Sequence, residues 1–466
     1  MKSPDALDPR TRRLLEGPIV PTLLRLAVPT LVIMSAQSAV SLIETYFIGM
    51  LGTEALAGMS LVFPMLMLML MLSGGAMGGG IASAIARALG AGRRAEADAL
   101  VCHAAALGLV FGLVFTVIFL LGGRWIYSLM GGTGAALQAA LAYSDLLFCA
   151  AVLIWVFNAL AAALRGTGNM TLQAVTTFVG MLLLLPLSPL LIFGWGPVPA
   201  MGIAGGAAAV IAYYAAGILV LAGYLRSRRS VLQPFRTPIK FRWPLFREIL
   251  RVGLGGVISG VATNLNIVVT TAFVGGFGVA AIAGYGTAAR LEYLLVPIAF
   301  GIGGPLVAMV GVSLGAGDRR RAMRVAWAGA AMATVLTEAV GLWAAFFPLA
   351  WLGLFNTDPV ALAEGARYLR VVGPTYGFFG LGLALYFASQ GVGRLKWPIA
   401  GNVVRLLLGV GGATLALKLG GDLGHVFAAQ AIAMAAYGLV IAGAIAGGGW
   451  FGPLAWPASR PGAESR

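Results

Sequence analysis

Long apolar stretches, each able to cross a hydrocarbon layer ~30 Å thick, recur twelve times along this sequence with polar breaks between them. Of its 466 residues, 60% are hydrophobic and only 10% are charged, and a water-soluble fold of this size could not bury so much apolar surface. The pattern predicts an all-α membrane protein with twelve transmembrane helices, which we number as spans 1 to 12. They are predicted at residues 23–48, 56–84, 97–121, 136–162, 172–194, 202–225, 248–273, 280–310, 322–348, 363–388, 397–418 and 424–446.

The basic residues sort to one side of this map when the N-terminus is placed in the cytoplasm, as the positive-inside rule requires. The densest cluster, from Arg226 to Arg251, then lies inside. Four basic residues are assigned to the outside, namely Arg124, Arg367, Arg370 and Lys418. We therefore predict that both termini are cytoplasmic. The formal net charge of +15 is explained by this topology and by the anionic lipids of the bilayer, so we expect no nucleic-acid partner.

The two halves of the chain resemble each other, because four short motifs recur in order at an offset of 225 or 226 residues. Each half contains six spans, an even number, so the repeats have parallel topology. They predict two six-helix bundles related by a pseudo-two-fold axis along the membrane normal, with a cavity between them. The paired motifs are LLRLAVPTL at Leu23 with ILRVGLGGV at Ile249, ALAG at Ala55 with AIAG at Ala281, LGAG at Leu89 with LGAG at Leu314, and RGTGN at Arg165 with QGVGR at Gln390.

Five segments follow from the spans, the repeat and the charge clusters. They are a cytoplasmic N-terminal segment (1–22), an N-terminal six-helix bundle (23–225), a cytoplasmic linker (226–247), a C-terminal six-helix bundle (248–446) and a cytoplasmic tail (447–466).

The sequence offers no catalytic or metal-binding motif. Cys102 and Cys149 lie in apolar stretches and indicate no disulfide framework, while His103 and His425 are far apart in sequence. The glycine-rich run at Gly74 lies in an apolar stretch, which favours close helix packing over a phosphate-binding loop. We therefore expect no cofactor, no metal site and no nucleotide site.

Three sets of residues resemble one known family. The first is ETYFIGMLGTEALAG, from Glu44; the second is YGTAARLEYLLVPIAFGIGGPLVAMVGVSLGAG, from Tyr285; the third is the pair of loops RGTGN and QGVGR. They resemble the multidrug and toxic-compound extrusion (MATE) family, and in particular its DinF-like branch, over about residues 15–450. The resemblance implies a secondary transporter, not an enzyme, which exchanges H⁺ or Na⁺ for amphipathic, often cationic organic compounds by alternating access between the bundles. It also implies a bacterial or archaeal cytoplasmic (inner) membrane, where we expect a functional monomer.

Glu44 is the main candidate for ion coupling, because an ionisable side chain inside a membrane is costly and is a functional candidate by default. At 1.5 Å per residue it lies roughly 30 Å along span 1, and it shares one helix face with Gln37 and Ser41. Glu44 and Pro29 also match an acid and a proline of the family's first helix. Desolvation would favour the protonated carboxyl, and the proline would allow a hinge. The alternatives are an interfacial glutamate wetted by the turn at 49–52 and a static proline.

Span 5 departs from the family pattern. Relatives often carry an asparagine and an aspartate where this chain has Leu184 and Ser188. Without a second carboxylate, a Na⁺ site with several hard oxygen ligands is difficult to build. We therefore favour H⁺ over Na⁺ as the coupling ion.

Polar and aromatic side chains are predicted to line a substrate cavity, because aromatic faces bind organic cations. Arg290 and Glu292 are two residues apart and do not face each other, so each should have its own partner, in a structural ion-pair network or in the substrate path. Arg405 is expected to extend towards the cytoplasmic surface or to gate that side. For the other residues, packing within a bundle is the alternative. The cavity candidates are Thr176, Asn264, Asn266, Arg290, Glu292, Tyr293, Tyr376 and Tyr386.

Two other functions compete with H⁺-coupled efflux. A flippase for lipid-linked precursors, a function of distant relatives of this fold, would need a strongly cationic central cavity for pyrophosphate. The few arginines within the spans argue weakly against it. An intramembrane enzyme is disfavoured by the missing catalytic residues.

Overall fold

The computed structural model describes residues 8–235, 240–355 and 357–452, apart from the side chains of Ser38, Tyr293 and Leu294. Across these residues it contains no β-strand, and eleven helices are long and apolar enough to cross a membrane. A pair of shorter helices, bent by 49° at Ala150, makes the twelfth span. The prediction of an all-α protein with twelve spans is therefore confirmed.

Most helices extend beyond the apolar stretches that predict them, because their polar ends continue the same backbone ladder. Span 7, for example, begins at Trp243, with Pro244 in its first turn where no backbone donor is needed. In order, the spans are Ile19–Gly49, Thr53–Gly90, Arg94–Leu129, the bent pair Gly134–Cys149 and Ala151–Gly166, Met170–Phe193, Ile203–Arg226, Trp243–Gly275, Val279–Gly315, Arg319–Phe346, Pro359–Val392, Lys396–Lys418 and Leu423–Ala446.

Within the described residues, two short helices lie outside the spans, at Pro9–Glu16 and Pro348–Leu352. The first starts where the Asp8 carboxylate accepts hydrogen bonds from the backbone N–H groups of Arg10 and Thr11. Both have proline in the first turn, where its missing N–H costs nothing.

Two spans change their helical geometry midway. Span 2 contains a π-helical segment at Met71–Met77, and span 10 contains a 3₁₀ turn at Gly373–Thr375. A π-helical turn leaves backbone carbonyls available to other groups. Pro29, by contrast, lies inside one continuous α-helix, so the hinge at this residue remains a prediction.

The crossing of spans 2 and 8 reveals the two-fold relation between the bundles. A Cβ placed on Gly90 would lie 2.1 Å from the carbonyl oxygen of Val312, and one placed on Gly315 would lie 2.1 Å from that of Arg87. Gly315 and Val312 each lie 225 residues after Gly90 and Arg87, so the two contacts exchange when the halves exchange. Reciprocal contacts of this kind are the mark of a two-fold axis.

The bundles are joined at one end of the molecule. We call it the basic end, because Arg94, Arg226, Arg319 and Lys396 lie there at the ends of their spans. Here the Arg87 guanidinium donates to the Glu248 carboxylate at 2.9 Å and to the Gly391 carbonyl at 3.0 Å, and so links span 2 to spans 7 and 10.

Close approach of backbones continues from the basic end to the middle of the spans. A Cβ on Gly80 would lie 2.5 Å from the Ile249 carbonyl oxygen, and one on Gly260 would lie 2.2 Å from the methyl group of Met71. Only glycine permits the approach at Gly80, where the opposite atom belongs to the backbone, whereas at Gly260 the flexible Met71 side chain fills the contact. The structure is therefore closed between the bundles at the basic end.

Gly315→Leu should separate spans 2 and 8 at the basic end, because even the Cβ of the new leucine would collide with the Arg87 carbonyl oxygen. Ala86 is fully buried in this interface, so a cysteine placed there in a Cys102→Ser/Cys149→Ser background should react several-fold faster with a maleimide in the Gly315→Leu protein. Gly223→Leu is the control, because a Cβ on Gly223 meets no atom within 4 Å. Equal labelling rates in both variants would contradict the proposed closure.

Candidate functional site

Glu44 lies inside the N-terminal bundle, with only 3% of its surface exposed. The Tyr143 hydroxyl of span 4 donates to its Oε2 atom at 3.5 Å. In the part of the chain that the structure describes, its Oε1 atom is buried without a hydrogen-bond partner. Glu44 is thus enclosed by protein and is not a wetted residue of the nearby turn.

The helical spacing of span 1 places Gln37, Ser41 and Glu44 on one face, but their burial differs. Gln37 and Ser41 are half-buried, whereas Glu44 is buried. Among the described hydrogen bonds, Glu44 is joined to Tyr143 and not to either neighbour on its own helix. The carboxyl therefore depends on another span for its partner.

Aromatic residues around Glu44 were not among the candidates that the sequence suggested. Besides Tyr143, Tyr214 of span 6 is close enough to interact with Glu44; it is largely buried and meets the Tyr213 ring edge to face, with centroids 4.9 Å apart. Tyrosine in an apolar span was the available signal, because a buried hydroxyl needs a hydrogen-bond partner. Thr176 is also buried in this bundle, on span 5, with no described contact to Glu44.

A second polar cluster surrounds the π-helical segment of span 2. The Arg165 guanidinium donates to the Gln173 side chain at 3.1 Å and to the Gly74 carbonyl at 3.0 Å. Asn158 donates to the Ser73 hydroxyl at 3.0 Å. The irregular turn thus supplies a carbonyl that neutral and charged groups of spans 4 and 5 surround.

The C-terminal bundle has its own acidic site. The Tyr368 hydroxyl of span 10 donates to the Glu292 carboxylate of span 8. Tyr368 lies 225 residues after Tyr143, which is the offset of the repeat. Equivalent tyrosines therefore donate to a glutamate in each bundle, although the glutamates come from spans 1 and 8.

Arg290 and Glu292 have separate partners, as the sequence predicts. Arg290 is exposed, and its guanidinium lies over the Phe355 ring at 5.9 Å. Arg405 does not extend to the basic end: it is 5% exposed and lies over the rings of Phe379 and Tyr437 at 5.7 and 5.8 Å. Arg405 is therefore buried between aromatic rings and not at the surface as expected. Its cation–π contacts compensate part of the hydration that the guanidinium loses.

The other cavity candidates do not converge on one pocket. Asn264 is exposed and faces the other bundle, with its amide 3.8 Å from the Met71 sulfur. Asn266 is buried within its own bundle, where it donates to Gln430 at 3.3 Å. Tyr376 is fully buried. The Tyr293 side chain lies outside the described residues.

Tyr386 lies where the two bundles meet. Its hydroxyl accepts a hydrogen bond from the Gln390 amide at 2.8 Å. A Cβ placed on Gly79 of span 2 would lie 2.2 Å from this Gln390 amide group. The pair therefore belongs to the interface between the bundles and not to the interior of one of them.

A metal site is not formed by the described side chains, since no group of three His, Cys, Asp or Glu residues is close enough to hold an ion. Around Glu44, one carboxylate and one phenol are the hydrogen-bonded oxygen groups. Na⁺ would need several more oxygen ligands, whereas a proton needs one basic atom.

Comparison with known proteins gives consistent results. The MatE family model matches residues 29–190 and 257–415. An FAD transporter of Shewanella oneidensis is 26% identical over 396 residues, covering 85% of this chain and 87% of that protein. The probable multidrug resistance protein YoeA of Bacillus subtilis is 28% identical over 376 residues, covering 80% of this chain and 81% of that protein. A solved MATE structure in the bent conformation shares the fold, with a TM-score of 0.85 at 23% identity over 93% of this chain and 96% of that one.

Tyr143→Phe should destabilise the protein by about 1–2 kcal/mol, because it removes the hydrogen bond of a buried carboxyl group. In a Glu44→Leu background the cost should vanish or become a gain, since the hydroxyl then lacks its acceptor. Equilibrium unfolding in detergent micelles measures both. Tyr46→Phe, at a residue that is 66% exposed, is the control. An equal cost in the two backgrounds would show that Tyr143 and Glu44 are not coupled.

Proposed function

Because this chain belongs to the MatE family, and is therefore a multi-pass membrane transporter and not an enzyme, we propose that it exports amphipathic, cationic organic compounds in exchange for H⁺. Efflux of small organic molecules is the activity that its multidrug-resistance relatives support. The observation that carries the H⁺ part is the burial of Glu44 beside one hydroxyl group.

Because Glu44 is buried, its protonation can shift the conformational equilibrium of the protein. An unpaired carboxylate in an apolar interior costs several kcal/mol, whereas a tenfold change in an equilibrium needs only about 1.4 kcal/mol. The neutral form therefore suits the enclosed site in this structure. When Glu44 loses its proton, the carboxylate requires water or an organic cation, and the bundle must open to provide one. Gln37 and Ser41 lie below Glu44 on the same face as further polar groups, and Pro29 gives span 1 a place to bend.

The ligand set supports H⁺ over Na⁺. Leu184 and Ser188 occupy the span 5 positions where relatives often have an asparagine and an aspartate, and Ser188 is fully buried without a described partner. The N-terminal bundle thus provides Glu44 with a proton-donating phenol and no second carboxylate in the described contacts. One carboxyl group with one phenol is sufficient to bind and release a proton.

Substrate would enter the space between the bundles, which Asn264 and Met71 border at mid-span. With the basic end closed, we expect this space to open towards the opposite side. We assign the basic end to the cytoplasm of a bacterial or archaeal inner membrane, because cytoplasmic ends of spans collect arginine and lysine. The structure then represents the state from which exported compounds leave.

An anionic substrate is a second candidate. One relative is an FAD transporter, and FAD carries a pyrophosphate. Arg165 and Arg405 provide cationic groups in both bundles, but Arg165 is bound to Gln173 and Gly74 and Arg405 lies between two rings. Because both guanidinium groups are held by partners within their own bundles, and the exposed Arg290 lies over the Phe355 ring, cationic compounds remain our first choice. The same point disfavours a flippase for lipid-linked pyrophosphates.

Glu44→Gln should abolish efflux driven by pH while leaving expression and folding intact, because the amide keeps the shape of the neutral acid. The measurement is drug counterflow against an imposed pH gradient in proteoliposomes. Glu54→Gln, at an exposed glutamate in the first turn of span 2, should behave as wild type.

Two results would overturn this assignment. Wild-type counterflow in Glu44→Gln would remove Glu44 from the mechanism and direct attention to Glu292 and Glu338. Counterflow in the wild-type protein that needs a Na⁺ gradient at equal pH would replace H⁺ by Na⁺. Uptake of FAD in place of an organic cation in the same vesicles would instead favour the second substrate class.

The orientation is tested by labelling from outside intact cells. A cysteine at Arg228, which is exposed in the linker after span 6, should stay unlabelled by a membrane-impermeant maleimide. A cysteine at Trp195, which is 81% exposed in the turn after span 5, should be labelled. Labelling at Arg228 without labelling at Trp195 would invert the topology.

A further inference from the structure

The short helix Pro9–Glu16 connects the two bundles at the basic end. Its Leu14 side chain is buried and packs against Gly168, in the turn between spans 4 and 5. The Leu14 carbonyl accepts a hydrogen bond from Arg321 of span 9 at 3.0 Å, and Gly17 accepts one from the same guanidinium at 2.6 Å. The helix and its C-cap therefore contact both bundles at the basic end.

A cavity of about 480 Å³ lies between this helix and the N-terminal bundle. Three arginines line it, Arg10 and Arg13 from the short helix and Arg25 from span 1, together with polar groups such as Asn169 and Tyr224. No aspartate or glutamate is among the described residues of its wall. The cavity thus concentrates positive charge without compensating it.

The three arginines differ in how they are engaged. Arg10 donates to the Tyr224 hydroxyl at 2.9 Å. Arg13 and Arg25 are exposed and make no hydrogen bond or ion pair among the described side chains, whereas the neighbouring Arg12 is paired with Glu16 at 2.7 Å. Two guanidinium groups therefore remain available to an anion, and guanidinium groups bind phosphate oxygens in forked geometry.

The remaining wall of the cavity contains the polar side chains of Thr22, Thr167 and Thr171 and an aliphatic part. Leu26 of span 1 and Leu172 and Val175 of span 5 contribute to it, and Val175 is 52% exposed. Arg25 lies six residues after the start of span 1, or about 9 Å along the helix at 1.5 Å per residue. The cavity thus brings arginine and aliphatic side chains together near the basic end, and these are the groups that bind the phosphate and the acyl chain of a phospholipid.

We propose that this cavity binds the phosphate of an anionic phospholipid, such as phosphatidylglycerol, with the acyl chain lying against spans 1 and 5. The phosphate joins Arg13 of the short helix to Arg25 of span 1, so the lipid holds the short helix in its docked position. Since that helix also carries the acceptors for Arg321, the lipid stabilises the closed basic end. This site is independent of the coupling ion and of the exported compound.

Lipid binding to the full-length protein is measured by native mass spectrometry from detergent, with phosphatidylglycerol, phosphatidylethanolamine or inorganic phosphate added. Wild type should bind phosphatidylglycerol roughly tenfold more tightly than phosphatidylethanolamine. A tenfold preference needs about 1.4 kcal/mol, and each arginine near an anionic lipid contributes a comparable amount. Arg13→Gln/Arg25→Gln should lose that preference. Arg320→Gln/Arg324→Gln is the matched control, because it removes the same charge from two exposed arginines at the basic end outside the cavity.

A second measurement follows the short helix itself. In nanodiscs, hydrogen exchange of residues 9–17 should be slower with phosphatidylglycerol than with phosphatidylethanolamine, and only in proteins that keep Arg13 and Arg25. Retained lipid preference in Arg13→Gln/Arg25→Gln, or an equal loss in the control, would refute the site. Binding of inorganic phosphate as tight as that of phosphatidylglycerol would show a free-anion site and overturn the assignment to lipid.

Discussion

The close crossing of spans 2 and 8 is the contact on which the two-bundle arrangement depends. In lipid there is no hydrophobic force to press two bundles together, so they associate through van der Waals contact and hydrogen bonds. Gly90 and Gly315 allow the backbones to approach until a Cβ would collide with the opposite carbonyl. Arg87 adds hydrogen bonds across the same interface. Such an interface is tight in one state, and it is held without a hydrophobic force that would keep it closed in the membrane, so it can separate in another state as alternating access requires.

The scaffold is symmetric, but the chemistry placed on it is not. Tyr143 and Tyr368 occupy equivalent positions and donate to a glutamate in each bundle. Glu44 contacts its tyrosine from span 1 and is buried, whereas Glu292 contacts its tyrosine from span 8 and is partly exposed. In the C-terminal bundle, Arg405 lies among aromatic rings and close enough to Glu292 for the two charges to interact. A lone acid in one bundle and an acid with a nearby cation in the other respond differently to protonation, which is why we place coupling on Glu44.

The sequence predicted the parts of this fold that depend on local periodicity. The length of the apolar stretches predicted the twelve spans, and the 225-residue offset predicted the two bundles. Both signals can be read directly from the order of residues along the chain. Partners from distant spans were not predicted. Nothing near Glu44 in sequence indicates Tyr143, and the sequence placed Arg165 in a loop, whereas its guanidinium reaches the Gly74 carbonyl inside the bundle. The π-helical segment was also missed, since its seven residues are apolar or small and fit an α-helical pattern equally well.

That π-helical segment lies between the polar interior of one bundle and the interface with the other. On one side its Gly74 carbonyl is bound by Arg165. On the other side a Cβ on Gly256 of span 7 would lie 3.0 Å from Ala76, within the same segment. A π turn differs from an α turn by one residue of register, so its return to α-helix would rotate the chain beyond it. Because the segment contacts both Arg165 and span 7, a change in its register would alter both contacts together. The polar interior of the N-terminal bundle and span 7 of the other bundle thus meet at one short irregular stretch of span 2.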